Sequence, residues 1–236
     1  MNIASLVRSS VLQVQTSFTN LPAMDAGQRI YLLLLLITFA LGCSKWRMLL
    51  YADKVLVILI GLTFLQETAA NLVYTTTGSN AITYHIYSPV EFFLLCLYFN
   101  ETNPLFKKKH TGIVIGVCGV LLSIANTIWL QQVNTFNSYY LLFEGTSIVI
   151  LCLLSLCGIL LDEQLDFKRQ SYFWITLCLL FYWCLTFTSW GVYNLLDADS
   201  VVLSNTMEIT LYTANMLLYT CIAIVFINYK KLIQPV

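Results

Sequence analysis

The stretch IYLLLLLITFAL, residues 30–41, carries no charged side chain, and the same is true of IVIGVCGVLL, residues 113–122. Each supplies half or more of the ~20 apolar residues that an α-helix needs to cross the hydrocarbon core of a bilayer. Across all 236 residues, 58% are hydrophobic and only 10% are charged. Soluble domains contain about 25% charged residues, so lipid is the expected solvent of this chain.

Long apolar segments recur along the chain and predict an all-α protein, a bundle of seven transmembrane helices. The predicted spans are Ile30–Leu49, Lys54–Tyr74, Ile82–Phe99, Thr111–Leu130, Ser138–Leu161, Tyr172–Asn194 and Ser204–Ile227. Because the loops between them are short, sequential helices are expected to be antiparallel neighbours. The transmembrane domain covers residues 29–229. Residues 1–28 form either a short interfacial helix or a disordered tail, and residues 230–236 are a tail on the other side.

The positive charges predict the orientation of this bundle. Ten of the twelve Lys and Arg residues lie in the first, third and fifth connections or after the last helix. These ten are Lys45, Arg47, Lys54, Lys107, Lys108, Lys109, Lys168, Arg169, Lys230 and Lys231. Loops rich in Lys and Arg stay in the cytoplasm. The chain is therefore expected to have its N-terminus outside and its C-terminus inside.

Polar residues within the predicted helices lie mostly in their outer halves, when each is given a depth at ~1.5 Å per residue. The inner halves are mostly Leu, Ile, Val, Phe and Cys. This distribution predicts an outward-facing polar pocket above an apolar plug, unlike the continuous polar lining of a channel. The candidate ligand-binding residues are Glu67, Asn71, Tyr84, His85, Tyr87, Ser88, Glu91, Asn126, Tyr140, Glu144, Trp190, Asn194, Glu208, Tyr212 and Asn215.

The charged residues in the interior of the predicted spans are acidic. Glu67, Glu91, Glu144 and Glu208 fall within the predicted spans, whereas the Lys and Arg residues inside these bounds, Lys45, Arg47 and Lys54, lie only at the span ends around the first connection. Buried carboxylates without cations have to share protons, accept hydrogen bonds or meet a cation from outside. Glu144 and Glu208 also have a simpler explanation, because both lie near helix starts, where the dipole and headgroup water favour an anion.

The sequence excludes several activities. A retinal-binding pump needs a lysine inside a helix, and every lysine lies in a loop or at the C-terminus. Zinc hydrolases use several His ligands, but only His85 lies in a predicted span. A carboxylate site would suit a harder metal, and a bound cation is allowed, but no spacing points to a particular metal and no organic cofactor is expected. The balanced charge excludes nucleic acid as a partner.

Three functions remain open. The first is a sensor that binds a small ligand or cation in the pocket and signals through a cytoplasmic or membrane partner. The second is a transporter of small solutes or ions, in which helices 1–3 and 5–7 form parallel repeats. The third is an intramembrane enzyme acting on lipid headgroups, with Glu91 or Glu67 working as acid–base groups beside His85.

The run YHIYSPVEF, residues 84–92, resembles a segment of small, largely uncharacterised seven-helix membrane proteins of Bacteroidetes-type bacteria. Some of those proteins stand beside, or are joined to, sensory histidine kinases. The resemblance is confined to this helix and to the general hydropathy pattern. It implies a sensory role in a bacterial inner membrane, and it assigns no ligand and no catalytic residue.

Overall fold

The structure, a computed structural model, describes residues 26–161, 166–195 and 201–232. These residues form helices without any strand, and seven of the helices are long and apolar enough to cross a membrane. They are α1 (Ala26–Ser44), α2 (Tyr51–Thr77), α3 (Ala81–Thr102), α4 (Thr111–Ala125), α5 (Ser138–Leu160), α6 (Ser171–Leu195) and α7 (Val201–Ile227). The predicted all-α bundle of seven helices is confirmed. The predicted interfacial segment 1–28 lies almost wholly outside the described residues.

The first two helices differ from their predicted spans. α1 ends at Ser44 rather than Leu49, because residues 45–49 turn back through backbone hydrogen bonds such as Lys45 N–H to the Gly42 carbonyl. α2 begins at Tyr51, three residues earlier than predicted. Lys54 therefore lies in its first turn and not in a loop. Arg29 likewise lies in the first turn of α1, so both cations flank the apolar spans at helix ends.

Six of the helices form a closed ring. Around the ring, α1 packs against α2, α2 against α3 and α3 against α5. The ring then continues from α5 to α6 and from α6 to α7, and α7 packs against α1. α4 lies beside the ring and packs mainly against α3. Among the seven spans it is the most apolar and the least buried, as expected of the helix with most of its surface in lipid.

Glycines let α4 approach α3 closely. Gly112, Gly116 and Gly119 recur along one side of α4, and all three are buried. A Cβ atom added at Gly112 would lie 2.5 Å from the carbonyl oxygen of Cys96 and 2.6 Å from the Cβ of Asn100. The pair Gly112-x-x-x-Gly116 is therefore a helix contact of the small-residue type found in membrane proteins.

Large apolar side chains cover the outside of the bundle. Leu65 on α2, Leu121 on α4 and Ile209 on α7 are all more than half exposed, and many similar residues share this surface. Soluble proteins rarely expose apolar patches of such extent. Together with the length of the seven helices, this surface identifies a multi-pass membrane protein.

The two ends of the bundle differ in charge. The basic end holds the turn 45–49, the short helix Pro104–Lys109, the connection around Arg169 and the short helix Tyr229–Leu232. The opposite end holds the loops around Gly78 and between α4 and α5, which contain no Lys or Arg. The candidate residues predicted from sequence belong to the half of the bundle nearer the opposite end.

Candidate functional site

Three of the four predicted glutamates are linked by electrostatic range inside the bundle. Glu67 comes from α2, Glu91 from α3 and Glu144 from α5. Glu91 lies within electrostatic range of Glu67 and of Glu144. We call these three residues the carboxylate cluster. Glu208 is partly exposed near the start of α7.

Glu144 is the most buried member of the cluster. Its side chain is 0% exposed, and in the described structure neither carboxyl oxygen has a hydrogen-bond partner. Headgroup water at the helix start was one expected explanation for this residue, and it is wrong. An ionised carboxylate at such a position would lack every compensating contact.

Tyrosines surround the carboxylate cluster. Tyr87 lies one turn before Glu91 and within electrostatic range of its carboxyl group. The other tyrosines within electrostatic range of Glu91 are Tyr84, Tyr140, Tyr182 and Tyr219. Tyr182 and Tyr219 were not predicted, because the prediction considered polar residues in the outer halves of the helices and these two lie nearer the middle of α6 and α7.

A hydrogen-bonded pair of hydroxyl groups joins α3 to α2. The Thr63 hydroxyl and the Tyr87 phenol are 2.6 Å apart, and either of them can donate. The Thr63 hydroxyl is also 2.9 Å from the carbonyl oxygen of Leu59, to which it can donate. Thr63 was not predicted as a site residue. Its spacing of four residues from Glu67 places both on one side of α2 and is the signal that could have revealed it.

A small cavity lies against the cluster on the side of the basic end. Its volume is about 10 Å³, room for roughly one water molecule. Glu91, Tyr182 and Tyr219 contribute its polar wall. The remaining lining is mainly apolar and comes from α2, α3, α6 and α7: Leu56, Leu59, Ile60, Leu95, Leu179, Trp183, Leu218 and Ile222.

His85 is held by the loop between α4 and α5. Its Nδ1 atom is 2.9 Å from the Thr127 hydroxyl, and its Nε2 atom is 2.8 Å from the carbonyl oxygen of Thr135. Asn126 bonds Gln131 at 3.1 Å within the same region, where the end of α4 widens into the π-helical turn Asn126–Leu130. Both predicted residues thus organise the loop beside α3. Both ring nitrogens of His85, the residue that the enzyme hypothesis paired with Glu91 or Glu67, are engaged in these contacts.

The remaining predicted residues differ in their contacts and in their exposure. Trp190 stacks on Phe136 with ring centroids 4.5 Å apart, and Tyr212 meets Tyr31 edge-on at 6.5 Å. Asn215 donates to a carbonyl of its own helix, Ser88 is fully buried in α3 and Asn71 is partly exposed. The side chain of Asn194 lies outside the described part.

A second buried acid lies at the basic end, where an apolar plug was predicted. Asp53 is 1% exposed in the first turn of α2. Its Oδ2 atom accepts hydrogen bonds from the Tyr229 phenol and, at 3.2 Å, from the Ser171 hydroxyl. The backbone N–H of Leu50 donates to the same phenol oxygen at 2.8 Å. Sequence reasoning missed Asp53 because the predicted span began one residue later.

This second site joins three segments of the chain and leaves one oxygen unsatisfied. Leu50 and Asp53 start α2, Ser171 starts α6, and Tyr229 follows α7. The Oδ1 atom of Asp53 has no hydrogen-bond partner among the described residues. Burial, and secondarily the charge of Asp53, raises the pKa of the Tyr229 phenol above its usual value.

Neither site has the ligand set of a metal centre. Among the described residues, no three His, Cys, Asp or Glu side chains are close enough to hold a metal ion. The sites can therefore offer carboxyl and hydroxyl groups singly or in pairs. No known protein family matches the chain, and comparisons with curated proteins and with solved structures found no match.

Proposed function

We propose that this protein is a receptor-like membrane sensor that binds a cation or a small ligand at the carboxylate cluster and signals through a partner. The convergence of Glu67, Glu91 and Glu144 carries the proposal. Residues 55–106 and 110–167, which cover most of α2–α5, contain no Lys or Arg. Acidic groups placed in a membrane interior without built-in cations are expensive and mark functional sites.

The size of the cavity favours a very small ligand. A volume of about 10 Å³ beside Glu91 fits roughly one water-sized species. A larger organic ligand would have to separate α2, α3, α6 and α7, which line this space. Glu67 and Glu91 are partly exposed and Glu144 is fully buried, so a ligand from outside would reach the cluster through Glu67 or Glu91.

The basic end is the proposed site of signalling. Lys107, Lys108 and Lys109 are exposed there, with Lys107 paired to Glu101 at 2.9 Å. A membrane or cytoplasmic partner with an acidic surface would complement this end. We place the basic end in the cytoplasm and the protein in the inner membrane of a bacterium, following the positive-inside rule and the resemblance of residues 84–92.

Thermal unfolding of the full-length protein tests the ligand site. A ligand at 100 times its Kd stabilises by about 2.7 kcal/mol, which is about 5–10 °C for a chain of this length. Na⁺, K⁺, Mg²⁺, Ca²⁺ and low pH would each be compared in the parent, Glu67→Gln and Glu91→Gln. Glu101→Gln is the matched control, because Glu101 lies at the basic end.

We expect at least one condition to stabilise the parent and the Glu101→Gln variant and to lose most of its effect in the two cluster variants. If both cluster variants respond like the parent to every cation and to pH, the carboxylate cluster is not the ligand site and the proposal is wrong.

A cation-coupled transporter is the second candidate, and Asp53 favours it. A buried acid near each end of the bundle offers two binding stations, which an apolar plug would not. Flux into liposomes separates the two functions: a transporter moves solute or charge and loses that activity in Asp53→Asn, whereas a sensor shows ligand-dependent stability without flux.

A further inference from the structure

We infer that the connection between α4 and α5 is a lid over the carboxylate cluster, in which Phe136 is the plug and His85 is the latch. The lid is residues 131–137, which follow the π-helical turn Asn126–Leu130. This inference rests on the proposed function and deepens it, because it assigns the route by which a ligand from outside would reach the cluster.

Phe136 packs between the two helices that flank α5 in the ring. Its ring stacks on Trp190 of α6 with centroids 4.5 Å apart, and it meets Tyr84 of α3 edge-on at 5.8 Å. Phe136 lies two positions before Ser138, the first residue of α5. A single side chain of the lid therefore contacts both α3 and α6 across the end of α5.

Helical register places this aromatic group over the cavity beside the cluster. Glu91 and Trp183 both line that cavity. On α3, Tyr84 is seven residues before Glu91, and on α6, seven residues also separate Trp183 from Trp190. Residues seven apart share one face of an α-helix and are about 10 Å apart along it. Both steps lead away from the basic end, so Tyr84, Phe136 and Trp190 form a layer between the cavity and the opposite end.

Gln131 holds the lid in one shape. Its Oε1 atom accepts hydrogen bonds from the Asn126 side chain at 3.1 Å and from the backbone N–H of Tyr139 at 3.2 Å. Its Nε2 atom donates to the carbonyl oxygen of Phe136 and to the Ser138 hydroxyl, each at 3.1 Å. One side chain thus ties both ends of the lid together, and we expect the lid to move as a unit.

His85 fastens this unit to α3. The carbonyl oxygen of Thr135 can only accept, so the His85 Nε2–H group, at 2.8 Å, donates to it. Thr135 is the neighbour of Phe136 in the chain, and His85 is the neighbour of Tyr84, so the latch and the aromatic contact act at the same place. Two ring contacts and one carbonyl bond are an attachment that a minor conformer can release.

The most buried member of the cluster lies beneath the lid. Glu144 is 0% exposed, and it lies six residues after the first residue of α5, which is about 9 Å deeper. A ligand that comes from the opposite end reaches this carboxyl group after the lid has moved. The lid therefore sets how fast a species reaches the cluster, whereas the equilibrium binding is a property of the carboxyl groups.

Hydroxyl-radical footprinting of the full-length protein in lipid nanodiscs tests the lid with a water-sized probe. The readout is the oxidation rate of Trp183, which is 3% exposed, followed by peptide mass spectrometry. Phe136→Ala removes both aromatic contacts and should raise this rate by at least about 5-fold. His85→Leu removes the donor to Thr135 and should raise it by about 2- to 12-fold.

Two controls separate the lid from a general loosening of the bundle. Tyr139→Ala removes a ring at the same end that is 57% exposed, and it should leave the Trp183 rate unchanged. Trp174, near the start of α6 at the basic end, is the internal reference and should react equally in all variants. If Phe136→Ala raises the rates of both tryptophans, His85→Leu decides, because it leaves the aromatic layer in place.

Equal oxidation of Trp183 in the parent, Phe136→Ala and His85→Leu would overturn the inference. A parent rate already as high as that of Trp129, which is 79% exposed, would overturn it too. Cation-dependent stabilisation that needs the cluster glutamates would in that case preserve the proposed function without a lid. The expected rate changes, found together with cluster variants that respond like the parent to every cation and to pH, would keep the lid and remove the proposed function.

Discussion

Replacing Glu144 by methionine should make this protein more stable. Both carboxyl oxygens of Glu144 are fully buried and have no hydrogen-bond partner among the described residues, and an unsatisfied buried polar group costs about 1–3 kcal/mol. Methionine has a similar length and brings no polar group that needs a partner. We therefore expect Glu144→Met to stabilise by about 1–3 kcal/mol, which corresponds to a rise in Tm of about 2–12 °C.

Thermal unfolding in nanodiscs and unfolding in SDS would measure this change. Glu144→Gln is the first control, because an amide buries its polar atoms in the same place and should gain little. Glu101→Met is the second, since it removes only the exposed ion pair with Lys107 and should stay within about 1 kcal/mol of the parent. If Glu144→Met were destabilised as strongly as we expect it to be stabilised, Glu144 would have a bonding partner in the membrane and the reasoning would be refuted.

Three other variants probe the remaining contacts. Gly112→Ala should lower the free energy of unfolding by about 1–3 kcal/mol, because the added Cβ would lie 2.5 Å from a carbonyl oxygen of α3. Gly158→Ala is the control and should be nearly neutral, because the atom nearest to its added Cβ is 3.8 Å away. Because the pKa of the Tyr229 phenol is raised, its stabilising contribution is complete below pH ~10 and is lost as pH rises above that value. Tyr229→Phe should lose about 1–3 kcal/mol near neutral pH, through the bond to Asp53, and should lack the alkaline loss in a pH series of unfolding curves. His85→Ala should cost about 1–3 kcal/mol through its two hydrogen bonds and leave any cation- or pH-dependent stabilisation unchanged, and a change in that response would place His85 in the cluster.

The sequence predicted the number of helices and most of their bounds because hydropathy in a membrane chain is a local property. It failed at helix ends, where bounds depend on tertiary contacts. α2 begins before Asp53 because Leu50 bonds Tyr229, a residue 179 positions away. No local pattern contains that information, and the error of a few residues hid the second buried acid.

The carboxylate cluster was predicted in part for the same physical reason. Charge in an apolar span is visible in the sequence, so Glu67, Glu91 and Glu144 were found. Which glutamates lie near one another depends on how the helices pack and at what depth each residue lies, and the sequence shows neither. Tyr182 and Tyr219 could not be separated from ordinary apolar packing until α6 and α7 were seen beside α3.

The distance between the two acidic sites bears on the choice between sensing and transport. Asp53 and Glu67 lie on the same helix, fourteen residues and therefore about 21 Å apart. The space between them holds the apolar lining of a cavity that fits roughly one water molecule, which is too little for a continuous proton path. In this conformation the cavity that borders Glu91 does not reach Asp53. Transport would therefore require α2, α3, α6 and α7 to separate around Leu56 and Ile60, whereas sensing would require only a change in the packing of α2 against α3.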